Sequence, residues 1–265
     1  YMRGHVADVY AIDEARVTVI PNGIDRADLH PVADLAELRA RFAAPEDRLV
    51  LLVGRLVYEK GFHLALDALP GLIERLGKVR FLIAGSGTAE AELKAQAERL
   101  GLMEHGAFVG WTGDDELHSL YRIADLCLVP SIYEPFGLVA LEAMASGCPC
   151  IVADTGGLRE VVPDNDAGLR FRSRDPRALA RMMQRVLTDD ALRDRLVAEA
   201  AVHVLRFDWA DVAEQLRTGE LAGWREEMWL AENPGRRIGL AISPLSASAD
   251  ELMFSAQTID ITDMH

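Results

Sequence analysis

The chain has 265 residues, half of them hydrophobic, enough for one substantial core with a shorter appendage beside it. Its 28 Lys+Arg against 42 Asp+Glu give a formal charge of -14, which excludes a broad electrostatic surface for nucleic-acid phosphates or anionic lipid and leaves any bound phosphate to a local group of cations. No segment reaches the roughly 18 consecutive apolar residues of a membrane span, no basic-then-apolar signal precedes the first strand, and Cys127, Cys148 and Cys150 lie in apolar segments as small core residues, so the expected setting is the reducing cytoplasm.

Taken in chain order, Tyr1 to Ala15 carries no start-like feature and runs straight into the strand-like Val17-Thr18-Val19-Ile20. The sequence therefore reads as a C-terminal fragment, entered midway. From Leu49 onward, solidly apolar runs alternate with amphipathic stretches. The runs are Leu49 to Val53, Val79 to Ala84, Ala107 to Val109, Leu126 to Val129 and Cys150 to Ala153. That alternation predicts an α/β fold, a parallel sheet with helices on both faces, because strands buried on both sides have no polar face to alternate with. Between the first two runs, Phe62, Leu66, Leu69, Ile73 and Leu76 recur at helical spacing, and Pro70 is expected to kink that helix or mark a frayed middle. Further helices are expected over Ala89 to Leu100, Asp115 to Ala124 and Leu138 to Ser146. Two closing helices, Pro176 to Leu187 capped by Asp175 and Ala191 to Leu205, follow Gly168-Leu169-Arg170-Phe171. Beyond Phe207-Asp208-Trp209 comes one more amphipathic stretch, which Asn233-Pro234-Gly235 ends. The sequence from 218 to 265 predicts no particular structure.

In an open α/β sheet, ligands bind outside the carboxyl ends of the strands, so the residues just after each run carry the chemistry. After the first run, Gly54-Arg55-Leu56-Val57-Tyr58-Glu59-Lys60-Gly61 puts two cations in one strand-to-helix turn. A guanidinium and an ammonium there can hold a diphosphate, although a solvated turn has the same composition. After the second, Gly85-Ser86-Gly87 invites a dinucleotide reading that fails on its third glycine, whose place is taken by the carboxylate of Glu90; a tight turn opening a helix is the better account. After the fourth, Glu134-Pro135-Phe136-Gly137 precedes a helix whose free N–H groups point at any anion above them. Glu142, on an otherwise apolar face of that helix, must contact a ligand hydroxyl or pair with a cation. After the fifth, Gly156-Gly157 either gives a ligand room or shapes a turn.

In this order the motifs resemble a known family. Val19-Ile20-Pro21-Asn22-Gly23-Ile24-Asp25, Gly54-Arg55 with Glu59-Lys60-Gly61, Glu134-Pro135-Phe136-Gly137-Leu138 with Glu142 following, and Thr155-Gly156-Gly157-Leu158 are similar to the C-terminal lobe of family 4 glycosyltransferases and the related glycogen and starch synthases. These are enzymes of two Rossmann-like lobes, the GT-B fold. The resemblance covers roughly residues 15 to 217. It implies a division into residues 1–20 as a remnant of the first lobe and its linker, 21–217 as the nucleotide-sugar-binding domain, and 218–265 as a tail unlike the family.

The resemblance also implies the roles. Arg55 and Lys60, beside Gly54, hold the donor diphosphate, and Gly137, Leu138 and Val139, next to Phe136, offer it backbone N–H groups. Glu134 meets the donor-sugar hydroxyls, Glu142 binds the ribose, and the base lies near Phe108 to Thr112. No metal and no cofactor are implied. The implied reaction is retaining transfer of a hexosyl group, in the first instance glucosyl from UDP-glucose or ADP-glucose, with GDP-mannose open, to a saccharide or other hydroxyl acceptor held mainly by a first lobe. Without that lobe the chain is expected to turn over slowly or not at all. The alternative from another class is a non-catalytic sugar-nucleotide-binding or interaction module. An epimerase or phosphorylase shares the architecture, but the lysine motif that holds pyridoxal phosphate in the latter is absent from the sequence.

Overall fold

The fold is organised around β1 (Arg48–Val53), whose Leu49, Val50, Leu51 and Leu52 are wholly buried. The computed structural model describes residues 2–11, 13, 22–26, 29, 34–163 and 166–209, together with the backbone of 238–244 and 254–260. On one side β1 pairs with β2 (Val79–Ala84), which pairs with β3 (Gly106–Gly110); on the other it pairs with β4 (Leu126–Val129), followed by β5 (Cys150–Ala153) and β6 (Leu169–Phe171). All five pairings are parallel, and the order is β3-β2-β1-β4-β5-β6. The chain thus leaves β1 towards one edge and returns to β4 on the other side, which makes the gap between β1 and β4 the topological switch point.

Helices alternate with the strands of the sheet. In chain order they are α1 (Met2–Tyr10), α2 (Leu35–Ala40), α3 (Phe62–Leu76), α4 (Glu90–Arg99), α5 (Asp114–Ile123), α6 (Leu138–Ala145), α7 (Leu158–Val161), α8 (Pro176–Thr188) and α9 (Asp190–His203). α3 packs on α4 and α8, whereas α5 packs on α2 and α6, and α9 touches both α6 and α8. The start of α8 is fixed by Asp175, whose side chain accepts from the Ala178 N–H at 2.9 Å, with Pro176 at the first helical position where no donor is missed. α3 runs through Pro70 as one element. The cysteines are free and buried, Cys127 and Cys150 as register neighbours on β4 and β5.

The structure extends the sequence reading in three places. β6 is a sixth strand; with three residues and Arg170 turned outward, it is too short and too polar to stand out as an apolar run. α1, α2 and α7 are helices that short or weakly amphipathic stretches do not announce. In the tail, β7 (Ile238–Pro244) and β8 (Phe254–Asp260) form an antiparallel pair, in register from Ile238↔Asp260 to Pro244↔Phe254. The strand-like Val17 to Ile20 and the amphipathic stretch after Trp209 lie outside the described residues.

The Asn22-Gly23-Ile24-Asp25 motif closes onto the end of the domain. The Ile24 N–H donates to the Phe207 carbonyl at 2.7 Å and the Trp209 N–H to the Ile24 carbonyl at 3.2 Å. Gly23 leaves room for the indole, since a Cβ there would sit 2.8 Å from Trp209 Cδ2.

Candidate functional site

Three loops meet at the carboxyl ends of β1, β4 and β5, and their main chains lock them into one body. The turn after β1 ends in a 3-10 helix, Tyr58–Lys60. Its Glu59 carbonyl accepts from the N–H groups of Ile132 at 2.7 Å and Tyr133 at 3.3 Å in the loop after β4. Gly61 follows at φ +68°, and a Cβ on it would lie 2.1 Å from the Pro130 carbonyl oxygen, so only glycine lets the two loops touch. From the other side, the Gly157 N–H donates to the Glu134 carbonyl at 2.9 Å and the Thr155 hydroxyl to the Ile132 carbonyl at 3.2 Å. A Cβ on Gly156 or Gly157 would stand 2.2 Å from the carbonyl oxygens of Glu134 or Pro135. The paired glycines therefore shape the seat of the Glu134 loop.

This packing brings Lys60 and Glu134 together across the switch point. Lys60 Nζ lies 2.6 Å from Glu134 Oε2, which also accepts from the Ser131 hydroxyl at 3.1 Å. Both side chains are largely buried, 20% and 10% exposed, so the pair is shielded from solvent screening and Glu134 carries its charge against a cation. Arg55, one strand end away on the same loop as Lys60, is exposed and has no ion-pair partner among the described residues. Its backbone is held firmly: Leu56 is wholly buried, and its N–H donates to the Ser86 carbonyl at 2.9 Å.

The Gly85-Ser86-Gly87 loop explains that anchorage. A Cβ on Gly85 would lie 1.9 Å from the Gly54 carbonyl oxygen, and one on Gly87 2.4 Å from that of Leu56. These glycines let the turn after β2 press against the turn that carries Arg55. The helix that follows, α4, starts at Glu90, in keeping with a tight turn in place of a phosphate cradle.

α6 supplies the second half of the site. Gly137 precedes it at φ +120°, and no side chain caps its first turn, so the N–H groups of Leu138 and Val139 have no side-chain acceptor and the positive end of the helix faces the loop region. The glycine is demanded by its positive φ, and an added Cβ would also push aside the end of the Leu158 side chain, whose Cδ2 would lie 2.6 Å away. Phe136 is inward, edge-on to Phe207 with ring centres 6.0 Å apart. Further along α6, Glu142 accepts from the Tyr121 hydroxyl at 2.8 Å. Burial pushes the Glu142 carboxyl above the usual glutamate range and Asp114 adds to that, while the Tyr121 hydrogen bond and His118 pull it back.

The segment expected to meet the base ends β3, at the edge of the sheet. Gly110 sits at φ +77°, with its carbonyl accepting from the Gly85 N–H at 2.6 Å, and Trp111 beyond it is exposed. Phe108 packs edge-on against Phe81 beneath the Lys94 ammonium.

Known proteins share this fold. The family model described as "Glycosyl transferases group 1" matches residues 36–203, more than half of the chain and all of the strands of the six-stranded sheet. This chain belongs to the group 1 glycosyltransferase family. It is 38% identical to the glycogen synthase of Mycobacterium tuberculosis over 231 residues, 85% of this chain and 53% of the relative. It is 33% identical to an uncharacterized glycosyltransferase of Methanocaldococcus jannaschii, covering 81% of this chain and 56% of that protein. The chain thus spans about half the length of the curated relatives it matches. Among solved structures, the sucrose-phosphate synthase of Thermosynechococcus elongatus superposes with a TM-score of 0.72 at 30% identity, over 82% of this chain and 55% of that one. Anabaena HepE, solved in complex with UDP and glucose, superposes with a TM-score of 0.73 at 26% identity, over 81% of this chain and 60% of that one. The fold is therefore that of a GT-B family lobe, a Rossmann-like parallel sheet with helices around it.

The structure joins Lys60 to Glu134 and places Arg55, Gly137, Leu138 and Val139 around the same switch point. Glu142 stands apart from that pair, against α5. Tyr121, Ser131 and Thr155 are contacts that sequence reasoning does not single out. The available signals are a tyrosine in an apolar helical stripe, whose hydroxyl needs a partner once buried, and small hydroxyl residues in the two loops flanking Glu134.

Proposed function

We propose that the chain is the donor-binding lobe of a retaining glycosyltransferase, acting on a nucleoside-diphosphate sugar and a hydroxyl acceptor, in the first instance a glucosyl donor and a saccharide. The observation that carries this reading is the uneven balance of charge at the switch point. The Lys60–Glu134 pair is internally neutral, yet Arg55 and the uncapped start of α6 bring unmatched positive potential to a chain whose formal charge is -14. A diphosphate between the two loops supplies the missing negative charge. The Anabaena relative solved with UDP and glucose supports the same ligand class.

In this reading, a nucleoside diphosphate needs no general acid to depart. As the anomeric bond opens, negative charge grows on the leaving phosphate oxygen, and Arg55, Lys60 and the Leu138 and Val139 N–H groups stabilise it from fixed positions. These side-chain and backbone charges do the work that a metal ion performs in other transferases, so we propose metal-independent chemistry. Glu134, held by Lys60 and Ser131, accepts from donor-sugar hydroxyls, and Glu142 accepts from the ribose. The two carboxylates thus bind opposite ends of the donor and are not the acid and nucleophile of a hydrolase. The acceptor hydroxyl, presented by a first lobe, attacks from the face the phosphate leaves and gives its proton to the departing phosphate oxygen, so the C1–O bond to phosphate is replaced by one to the acceptor with configuration retained.

The test is a calorimetric titration of the 265-residue chain with UDP, ADP and GDP, repeated on Arg55→Ala. Binding of one nucleotide in preference to the others, weakened by ~1.5–3 kcal/mol in the variant, is the expected result. A folded chain that binds none of them contradicts the reading.

A further inference from the structure

We infer that Tyr121 is a positioning residue for Glu142, fixing the carboxylate that is proposed to receive the ribose; the inference rests on that reading of Glu142. α6 offers Glu142 no help of its own. The helix reads Leu138-Val-Ala-Leu-Glu-Ala-Met-Ala145, so every other side chain in it is apolar. The positions one turn away, Leu138, Val139, Ala145 and Ser146, supply no cation. A buried glutamate with three rotatable bonds and no partner has neither a fixed orientation nor a reason to stay ionised.

The orientation comes from α5. Tyr121 is wholly buried, and its hydroxyl donates to Glu142 Oε2 at 2.8 Å. Burial and the neighbouring Glu142 carboxylate both hold the phenol well above the usual tyrosine range, so it stays protonated and remains the donor. His118 lies one turn earlier on the same face of α5, but its Nδ1 is buried without a hydrogen-bond partner. Asp114, at the head of α5, opposes the carboxylate charge, and Cys127 on β4 lies within reach of its field. Of these groups, the tyrosine makes the hydrogen bond that both aims one carboxylate oxygen and favours the charged form. The other oxygen is then the acceptor for a ribose hydroxyl.

The experiment compares affinities of the chain for the nucleoside diphosphate it prefers and for the 2′,3′-dideoxy form of that nucleotide. Their ratio isolates the contact between carboxylate and diol, because base and phosphates are common to both. The parent is expected to favour the ribonucleotide by ~10–100-fold, as for hydrogen bonds to a charged group. Glu142→Ala should bring the ratio close to one. Tyr121→Phe should lower it by ~5–10-fold while leaving dideoxynucleotide affinity unchanged, and should have no further effect in the Glu142→Ala background. If Glu142→Ala collapses the ratio and Tyr121→Phe leaves it at the parent value, or weakens both nucleotides equally, Tyr121 is a packing residue and the inference fails. If Glu142→Ala leaves the ratio unchanged, or the folded chain binds no nucleotide, the ribose reading itself fails and takes the inference with it. Should Tyr121→Phe not fold, 3-fluorotyrosine at residue 121 keeps the shape and strengthens the donor. A raised ratio supports positioning and an unaltered one overturns it.

Discussion

The two ends of the sheet each hold a carboxylate against cations, and they differ in what is left over. At the amino ends of the strands, Asp125 precedes β4 and is fully committed. Its Oδ2 accepts from Arg39 Nη2 and the Leu49 N–H, both at 2.8 Å, and its Oδ1 from Arg48 Nη1 at 3.3 Å. Arg39 in turn donates to the carbonyls of Ile123 and Asp47, tying α2 to the start of β1 and the end of α5. At the carboxyl ends, Lys60 and Glu134 neutralise one another, but Arg55 and the first N–H groups of α6 find no such partner among the described residues. A network whose donors and acceptors are all used holds the fold together. One with positive potential to spare is built to receive an anion. The difference separates residues that serve the sheet from residues that the sheet serves.

Substitutions at the two ends should therefore separate stability from binding. Asp125→Ala takes the Leu49 N–H acceptor away and removes the carboxylate from two guanidinium groups, which keep only Ile123, Asp47 and the exposed Asp190; because the arginines are partly exposed, the loss should be ~2–4 kcal/mol in denaturant unfolding, with nucleotide affinity unchanged for the fraction that stays folded. Arg55→Ala should do the reverse, weakening nucleotide binding ~10–100-fold with unfolding shifted by less than ~0.5 kcal/mol. Equal effects on both properties at either position would erase the distinction. Gly157→Ala sharpens it from a third direction. The added Cβ meets the Pro135 carbonyl oxygen at 2.2 Å, so the seat of Glu134 must shift, costing ~1–3 kcal/mol and lowering affinity as well.

The smallest expected effect is in pH. Glu142 is held above the usual glutamate range, chiefly by burial. For an acid with a raised folded-state pKa, its contribution to folding stability is present below the ordinary glutamate value and is lost as pH rises through the raised value. Ribose binding has the opposite sign, since the ionised carboxylate is the better acceptor. The preference for a ribonucleotide over its dideoxy form should therefore decline with acidification at a pH above the ordinary glutamate midpoint. Calorimetry of both nucleotides across the weakly acid range measures it, and a preference that is flat down to the ordinary midpoint contradicts it.

How far the molecule was legible in its sequence follows the range of the forces involved. β1, β2, β4 and β5 are continuous apolar runs because both faces are covered, and their ends coincide with the apolar runs to within one residue. β6 has three residues and an outward arginine, so its strand identity depends on pairing with β5, which local pattern does not encode. The same limit applied to the site. The residue types after β1 and β4 announced a cationic turn facing a helix start, but the Lys60–Glu134 contact joins positions 74 apart and exists only through the loop packing. The glycines were visible and their reasons were not: Gly85 and Gly87 make room for the Arg55 turn, Gly156 and Gly157 for the Glu134 loop. Tyr121 reads in sequence as one more apolar-stripe residue on α5, and its hydrogen bond to Glu142 depends on how α5 lies against α6.

The most direct measurement is a backbone 1H–15N NMR titration of the 265-residue chain with the nucleoside diphosphate it prefers. Shifts are expected at the amides of Arg55, Lys60, Leu138 and Val139, with Leu49 and Asp125 at the opposite end unmoved. Shifts confined to the Leu49 and Asp125 end, or spread evenly over both ends, would contradict the claim that the anion site lies at the switch point between β1 and β4.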